Sequence, residues 1–299
     1  MVGSWKITAF ASKDEVEAAM ARQEAAEDWD VTIGLASFEV AEDKPDEWRL
    51  DAYLPRRPTA ADRRALAQLF NGSPPEFAIE QLPDADWVTE SQKGMEPISA
   101  GRFHVRTPDH PADETAIDLI IPASQAFGTG QHATTAGCLI MLERMKRDGV
   151  APRRLIDVGT GTGLLAFAAL RLWPRAYATA SDIDPVCEGV VEENARLNGV
   201  RLSPGRGAML MVVADGMEDA RLQARGPYDL LIANILARPL IELAPDFAEA
   251  VAPGGHVVLA GLLTTQEADV RRAYRRAGFR LARRLERGDW SILWLRARR

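Results

Sequence analysis

The stretch Leu155-Ile156-Asp157-Val158-Gly159-Thr160-Gly161-Thr162-Gly163-Leu164-Leu165-Ala166 reads as a buried strand that turns through three glycines straight into a helix. This is how α/β proteins present backbone N–H groups to a ligand. A dinucleotide fingerprint needs G-x-G-x-x-G, and the positions that would complete it hold Leu164 and Ala166, so the register argues against a nicotinamide cofactor. Three glycines alone could simply make a tight turn. Asp182 adds a ligand signal, because it ends the strand-like Ala176–Ser181, where a charged residue faces the crevice that open sheets use for binding. Its carboxylate can accept from two ribose hydroxyls. Asp184-Pro185 reads instead as the cap and first turn of the next helix.

Working outward, apolar runs alternate with helical ones. Strands Leu155–Val158, Ala176–Ser181, Ala208–Val213, Tyr228–Ala233 and His256–Gly261 are separated by helices Leu164–Leu172, Val186–Asn198, Ala237–Ala250 and Gln266–Ala277, which predicts a doubly wound parallel sheet. The tail then changes character: Phe279–Leu285 and Trp290–Leu295, joined across Gly288-Asp289, read as an antiparallel hairpin at one edge. The G-x-G-x-G turn, Asp182 and the hairpin together resemble the S-adenosylmethionine-dependent methyltransferases of the Rossmann-like class, with a seven-stranded sheet.

The first 88 residues form a separate pattern. Trp5–Ala11, Lys13–Ala26, Trp29–Val40, Trp48–Leu54, Thr59–Phe70 and Glu76–Leu82 read as strand, helix, strand, strand, helix, strand, a ferredoxin-like α+β module. Residues 89–115, with Gly94, Pro97, Gly101 and Pro108, read as a linker carrying a short strand at Arg102–Arg106. The expected division is therefore 1–88, 89–115 and 116–299, with Gly94 and Gly101 as hinges.

Composition describes an ordinary soluble protein of 299 residues, 46% hydrophobic and 26% charged, large enough for two domains. No run reaches membrane-spanning length and Met1–Phe10 lacks leader features, so a cytoplasmic protein is expected. Cys138 and Cys187 lack C-x-x-C partners, and neither a disulfide nor a metal site is expected. The absence of heptads suggests a monomer. The net charge of −7 is uneven: residues 1–90 hold 9 Lys/Arg against 19 Asp/Glu, and the last 29 residues hold 11 Arg against Glu286 and Asp289. An acidic front half favours a basic protein partner and disfavours direct nucleic-acid contact. The arginine run 271–287 reads as a solvated face.

Two further segments narrow the family. Ala126-Phe127-Gly128-Thr129-Gly130-Gln131-His132-Ala133-Thr134-Thr135 and Ala233-Asn234-Ile235-Leu236-Ala237-Arg238-Pro239-Leu240, with Asp157–Gly163, Ser181–Pro185 and Gly101-Arg102-Phe103, resemble the ribosomal protein L-eleven methyltransferase (PrmA) family over most of residues 95–275. The resemblance implies S-adenosyl-L-methionine as cofactor, touched by Thr135, Gly159 and Gly161 and gripped at its ribose by Asp182. Asn234 stands where methyl donor and substrate meet and is the implied catalytic residue. It also implies methylation of several lysines and the α-amino terminus of the large-subunit ribosomal protein L-eleven. Ala133 replaces a usual proline and Thr160 a common cysteine, changes that bear on loop stiffness. Ile235-Leu236-Ala237 supplies no ring to stack on a nucleobase, which favours an aliphatic amine; a related methyltransferase acting on another protein lysine or on RNA is the alternative.

Overall fold

The computed structural model describes residues 5–26, 29–30, 32–40, 47–71, 74–81, 97–122 and 131–298. The chain forms two units, Met1–Lys93 and Gly94–Arg299.

The first unit runs β1 (Trp5–Ser12), α1 (Lys13–Ala25), β2 (Gly34–Glu39), β3 (Glu47–Leu54), α2 (Ala60–Gln68) and β4 (Phe77–Gln81). Its antiparallel sheet has the order β2-β3-β1-β4, the ferredoxin-like arrangement expected from the pattern. Ile7, Ala9, Leu50, Ala52 and Leu54 bury one sheet face against Val16, Ala19 and Leu66 of the helices. β2 starts at Gly34 and not near Trp29, because Asp30 Oδ1 accepts from both the N–H and the hydroxyl of Thr32, closing a local turn that competes with strand pairing. α2 is stopped at its start by Thr59 and Asp62, each side chain capping the other's backbone N–H.

The second unit opens with β5 (Ile98–Ala100), β6 (Phe103–Arg106) and β7 (Ile117–Ile120), a small sheet of order β5-β6-β7. Ile98, Ala100, Phe103, Val105 and Leu119 are buried in the same core as Leu139 and Leu142. The described part of the 89–115 stretch is therefore pleated into this unit. Gly101, expected as a hinge, is instead pinned: its φ is +59° and a Cβ there would fall 2.0 Å from Glu143 Oε2, which also accepts from the Arg102 N–H. Gly94 lies outside the described residues.

After α3 (Gln131–Arg147) the chain alternates through β8 (Arg154–Val158), α4 (Leu164–Leu172), β9 (Tyr177–Asp182), α5 (Val186–Leu197), β10 (Ala208–Val213), α6 (Ala220–Arg225) and β11 (Tyr228–Asn234). It continues through α7 (Ala237–Glu242), α8 (Ala244–Ala250), β12 (Val251–Leu263), α9 (Glu267–Arg276), β13 (Phe279–Arg287) and β14 (Trp290–Ala297). The seven-stranded sheet has the order β10-β9-β8-β11-β12-β14-β13. β14 is antiparallel to both neighbours, while the other pairings are parallel. The central strands read as near-continuous apolar runs because helices cover both faces. The single helix expected over Ala237–Ala250 is two: Pro245, in the first turn of α8, has no N–H with which to continue the preceding helix.

Candidate active site

The glycine turn is shaped by backbone conformation. Gly159, Gly161 and Gly163 have φ of +70°, +54° and +83°, values that side chains resist. The N–H groups of Gly159 and Thr160 both donate to Ser181 O, at 2.8 and 2.9 Å, which holds the turn against β9. A Cβ on Gly159 would meet Ile235 Cγ2 at 2.3 Å. The glycine thus lets the loop after β11 close over the end of β8.

Asp182 ends β9 half-buried. Its Oδ2 accepts from the Gly161 N–H at 2.8 Å and its Oδ1 from the Asp184 N–H at 3.1 Å. Two backbone donors fix the carboxylate at the mouth of the turn with lone pairs to spare. Asp184 Oδ1 accepts from the Val186 N–H at 2.9 Å, capping α5 as its sequence suggested. Burial, with the Asp182 carboxylate beside it, pushes the Cys187 thiol up to about 12, so it stays protonated and chemically quiet.

Asn234 ends β11, and its Nδ2 lies 3.5 Å from the Thr135 Oγ1 of α3. The loop that follows is held from below: Gly261, at φ +83°, lies so close to the Ile235 backbone that a Cβ would fall 2.3 Å from its carbonyl oxygen. Thr135, Gly159, Gly161, Asp182 and Asn234 all line one cavity of about 680 Å³, within the range of small-molecule sites. Of the conspicuous loop Ala126–Thr135, residues 126–130 lie outside the described residues. No helix is long and apolar enough to cross a membrane, and no cluster of metal-ligating side chains occurs, among the described residues.

Asp157 lies beneath the turn, buried, with Oδ2 accepting from Thr160 Oγ1 at 2.7 Å and the Ala166 N–H at 3.2 Å. Its Oδ1 is buried and has no hydrogen-bond partner among the described residues. Burial pushes its carboxyl up to about 7, against about 3.9 in an unfolded chain. Between about pH 4 and pH 7 the folded state therefore holds a proton that the unfolded state has lost. Stability falls as pH rises from about 4 to 7, and the cost is fully present above that. Asp157→Asn keeps an acceptor for Thr160 and removes the charge. Denaturant unfolding at pH 5 and pH 8 is expected to show the variant gaining about 2–4 kcal/mol on the wild type between the two. An unchanged difference would mean that Asp157 ionises normally.

Residues 7–298 match the family model described as Ribosomal protein L11 methyltransferase (PrmA). The chain belongs to this family. It is 40% identical over 271 residues to a curated ribosomal protein L11 methyltransferase of Agrobacterium fabrum, covering 88% of this chain and 89% of that one. A relative of the same name from Caulobacter sp. (strain K31) is 39% identical, covering 87% and 88%. The crystal structure of a ribosomal protein L11 methylase from Lactobacillus delbrueckii subsp. bulgaricus superposes with a TM-score of 0.58 at 25% identity, covering 69% of this chain and 99% of that one. The chain is thus a protein methyltransferase on a Rossmann-like sheet.

In this PrmA-family chain the cavity also draws on residues that sequence reasoning passed over. Ala214-Asp215-Gly216 follow β10, and Trp290 opens β14. The first group carries the same signal as Asp182, a polar residue just past a strand's carboxyl end, and could have been found by applying that rule to every strand. Trp290 could not, since only the pairing of β14 beside β12 brings the hairpin's ring to the wall.

Proposed function

We propose that this chain transfers methyl groups from S-adenosyl-L-methionine to amino groups of ribosomal protein L11, at lysine side chains and the α-amino terminus. The observation that carries the reading is the convergence of Thr135, Gly159, Gly161, Asp182 and Asn234, from separate helices and strand ends, on one cavity. The cavity fits the donor. Asp182 is a fixed acceptor for a ribose diol, and the glycine turn removes the Cβ atoms that would crowd the methionine portion. The lining combines carboxylates with apolar Val158, Leu164 and Leu165, which suits a cationic group flanked by hydrocarbon.

When bound, the donor supplies an electrophilic methyl group on a sulfonium. The protein's part is to align a neutral amine in line with it and keep water away. A lysine of ordinary pKa about 10.4 is almost wholly protonated at neutral pH. Entry into a cavity beside a cation disfavours the ammonium and exposes the lone pair. Asn234 then orients the amine through its side-chain carbonyl, adding no charge that would hold the proton in place; its amide nitrogen is turned toward Thr135. The acidic N-terminal domain, residues 1–88, recruits the basic substrate. The setting is the cytoplasm.

Intact-mass analysis of large-subunit ribosomal proteins after incubation with enzyme and donor tests the reading. Several increments of a methyl mass on one small basic protein are expected. Increments on a different protein or on RNA would move the substrate assignment, and none at all, with donor bound, would overturn it.

A further inference from the structure

The end of the seven-stranded sheet opposite the active-site cavity carries a row of arginines. Arg154 opens β8 with Arg153 before it, Arg175 precedes β9, Arg201 and Arg206 precede β10, and Arg225 ends α6 just ahead of β11. These segments are far apart in the chain, but β10, β9, β8 and β11 are consecutive neighbours in parallel register, Ala208 and Arg154 both opposite Tyr177. All four strands therefore start along one edge, roughly 15 Å wide at 4.8 Å per strand. The cavity holding Asp182 and Asn234 lies at their other ends, about 15–20 Å away along strands of five to seven residues.

None of these six arginines forms an ion pair among the described residues. Arg225 is half-buried, and its guanidinium donates only to neutral oxygens: Thr179 Oγ1 at 2.8 Å, Pro204 O at 3.0 Å and Ala178 O at 3.0 Å. It lines a cavity of about 580 Å³ together with Arg153, Arg154, Tyr177 and Asp229. Asp229, the one carboxylate among the described lining residues, is already engaged, accepting from the Arg153 and Arg154 N–H groups at 2.8 and 2.9 Å. Arginine at a helix end is ordinary compensation of the helix dipole, which accounts for Arg225. Arg153, Arg175, Arg201 and Arg206 sit in loops and Arg154 at the first position of β8, where no dipole calls for them, and the side-chain bonds of Arg154, Arg201 and Arg206 go to backbone carbonyls. By contrast Arg271, Arg272, Arg283 and Arg284 of the C-terminal run are paired with Glu267, Asp269 and Asp148.

We propose that this edge docks the phosphate backbone of RNA. Guanidinium groups match phosphate oxygens in a bidentate way. A row of six arginines, with the Asp229 carboxylate beside them already engaged, complements a chain of uniform negative charge better than a protein surface, where both signs are interspersed. The acidic total does not oppose this: residues 94–299 hold 26 Lys/Arg against 24 Asp/Glu, with acids such as Asp182, Asp184 and Asp215 at the other end of the strands. The inference does not rest on the proposed substrate.

The test is fluorescence anisotropy of a labelled 20-nucleotide RNA with the full chain, titrated from 50 to 200 mM salt. Binding at 50 mM salt is expected, weakening steeply as salt rises. The triple variant Arg153→Glu, Arg154→Glu, Arg206→Glu is expected to weaken it at least about 30-fold and to flatten the log–log salt slope by about 2, three contacts at about 0.7 each, with the thermal midpoint unchanged. The pair Arg283→Glu, Arg287→Glu is expected to bind normally. Should the triple variant unfold, Arg153→Gln with Arg154→Gln replaces it, expected to weaken binding about fivefold. Absence of RNA binding at 50 mM salt, equal binding by the folded edge variant, an equal loss in the 283/287 pair, or equally effective displacement by polyglutamate would each overturn the proposal.

Discussion

Replacing Asn234 with alanine is expected to lower the rate of methyl transfer at saturating donor and substrate by on the order of 100-fold, the scale of effect when a reacting group is no longer held in line. Asn234 is placed by three independent constraints. It ends β11, whose Leu230–Ala233 are apolar and buried between β8 and β12; its amide faces Thr135 Oγ1; and the close approach of Gly261 to Ile235 fixes the loop that follows. The side chain therefore has little freedom to spend on orienting an amine. Single-turnover kinetics separate its contribution from product release. Donor affinity by calorimetry should change much less than the rate, and an unchanged rate would remove Asn234 from the chemistry.

Asp182→Ala is expected to act on the other parameter. Loss of a charge-assisted hydrogen bond to the donor's ribose weakens donor binding by about 1–3 kcal/mol, or roughly 5- to 150-fold. The carboxylate also receives the Gly161 and Asp184 N–H groups, so alanine loosens the turn as well. Asp182→Asn keeps a carbonyl acceptor and should fall between alanine and the wild type. If the residue binds the donor and does no more, turnover at saturating donor recovers. A donor affinity equal to that of the wild type would defeat the ribose assignment.

Local signals carried much of this protein in its sequence. The G-x-G-x-G register separated it from dinucleotide-binding folds, and the alternation of apolar runs with helices was enough for a parallel sheet because buried parallel strands are apolar throughout. The 279–295 hairpin and the strand–helix order of the first 81 residues were legible for the same reason: backbone hydrogen bonding and side-chain period are decided within a few residues. Where local reading went astray, a nearby polar group or proline competed: the Asp30–Thr32 turn shortened β2, and Pro245 divided a helix. Gly101 looked like a hinge because its partner, Glu143, is far along the chain.

Charge was the property that sequence described least well. Summed along the chain, arginines at 153, 154, 175, 201, 206 and 225 are unremarkable entries in an acidic total. The sheet order β10-β9-β8-β11 collects them on one edge, since parallel strands must all begin on the same side, and sends Asp182, Asp215 and Asn234 to the other. The elements, the glycine turn and the family follow from residues that stand close together in the chain. Which distant side chains share a surface follows from the folded arrangement, because electrostatic fields and cavities depend on distance through space and not on separation along the chain.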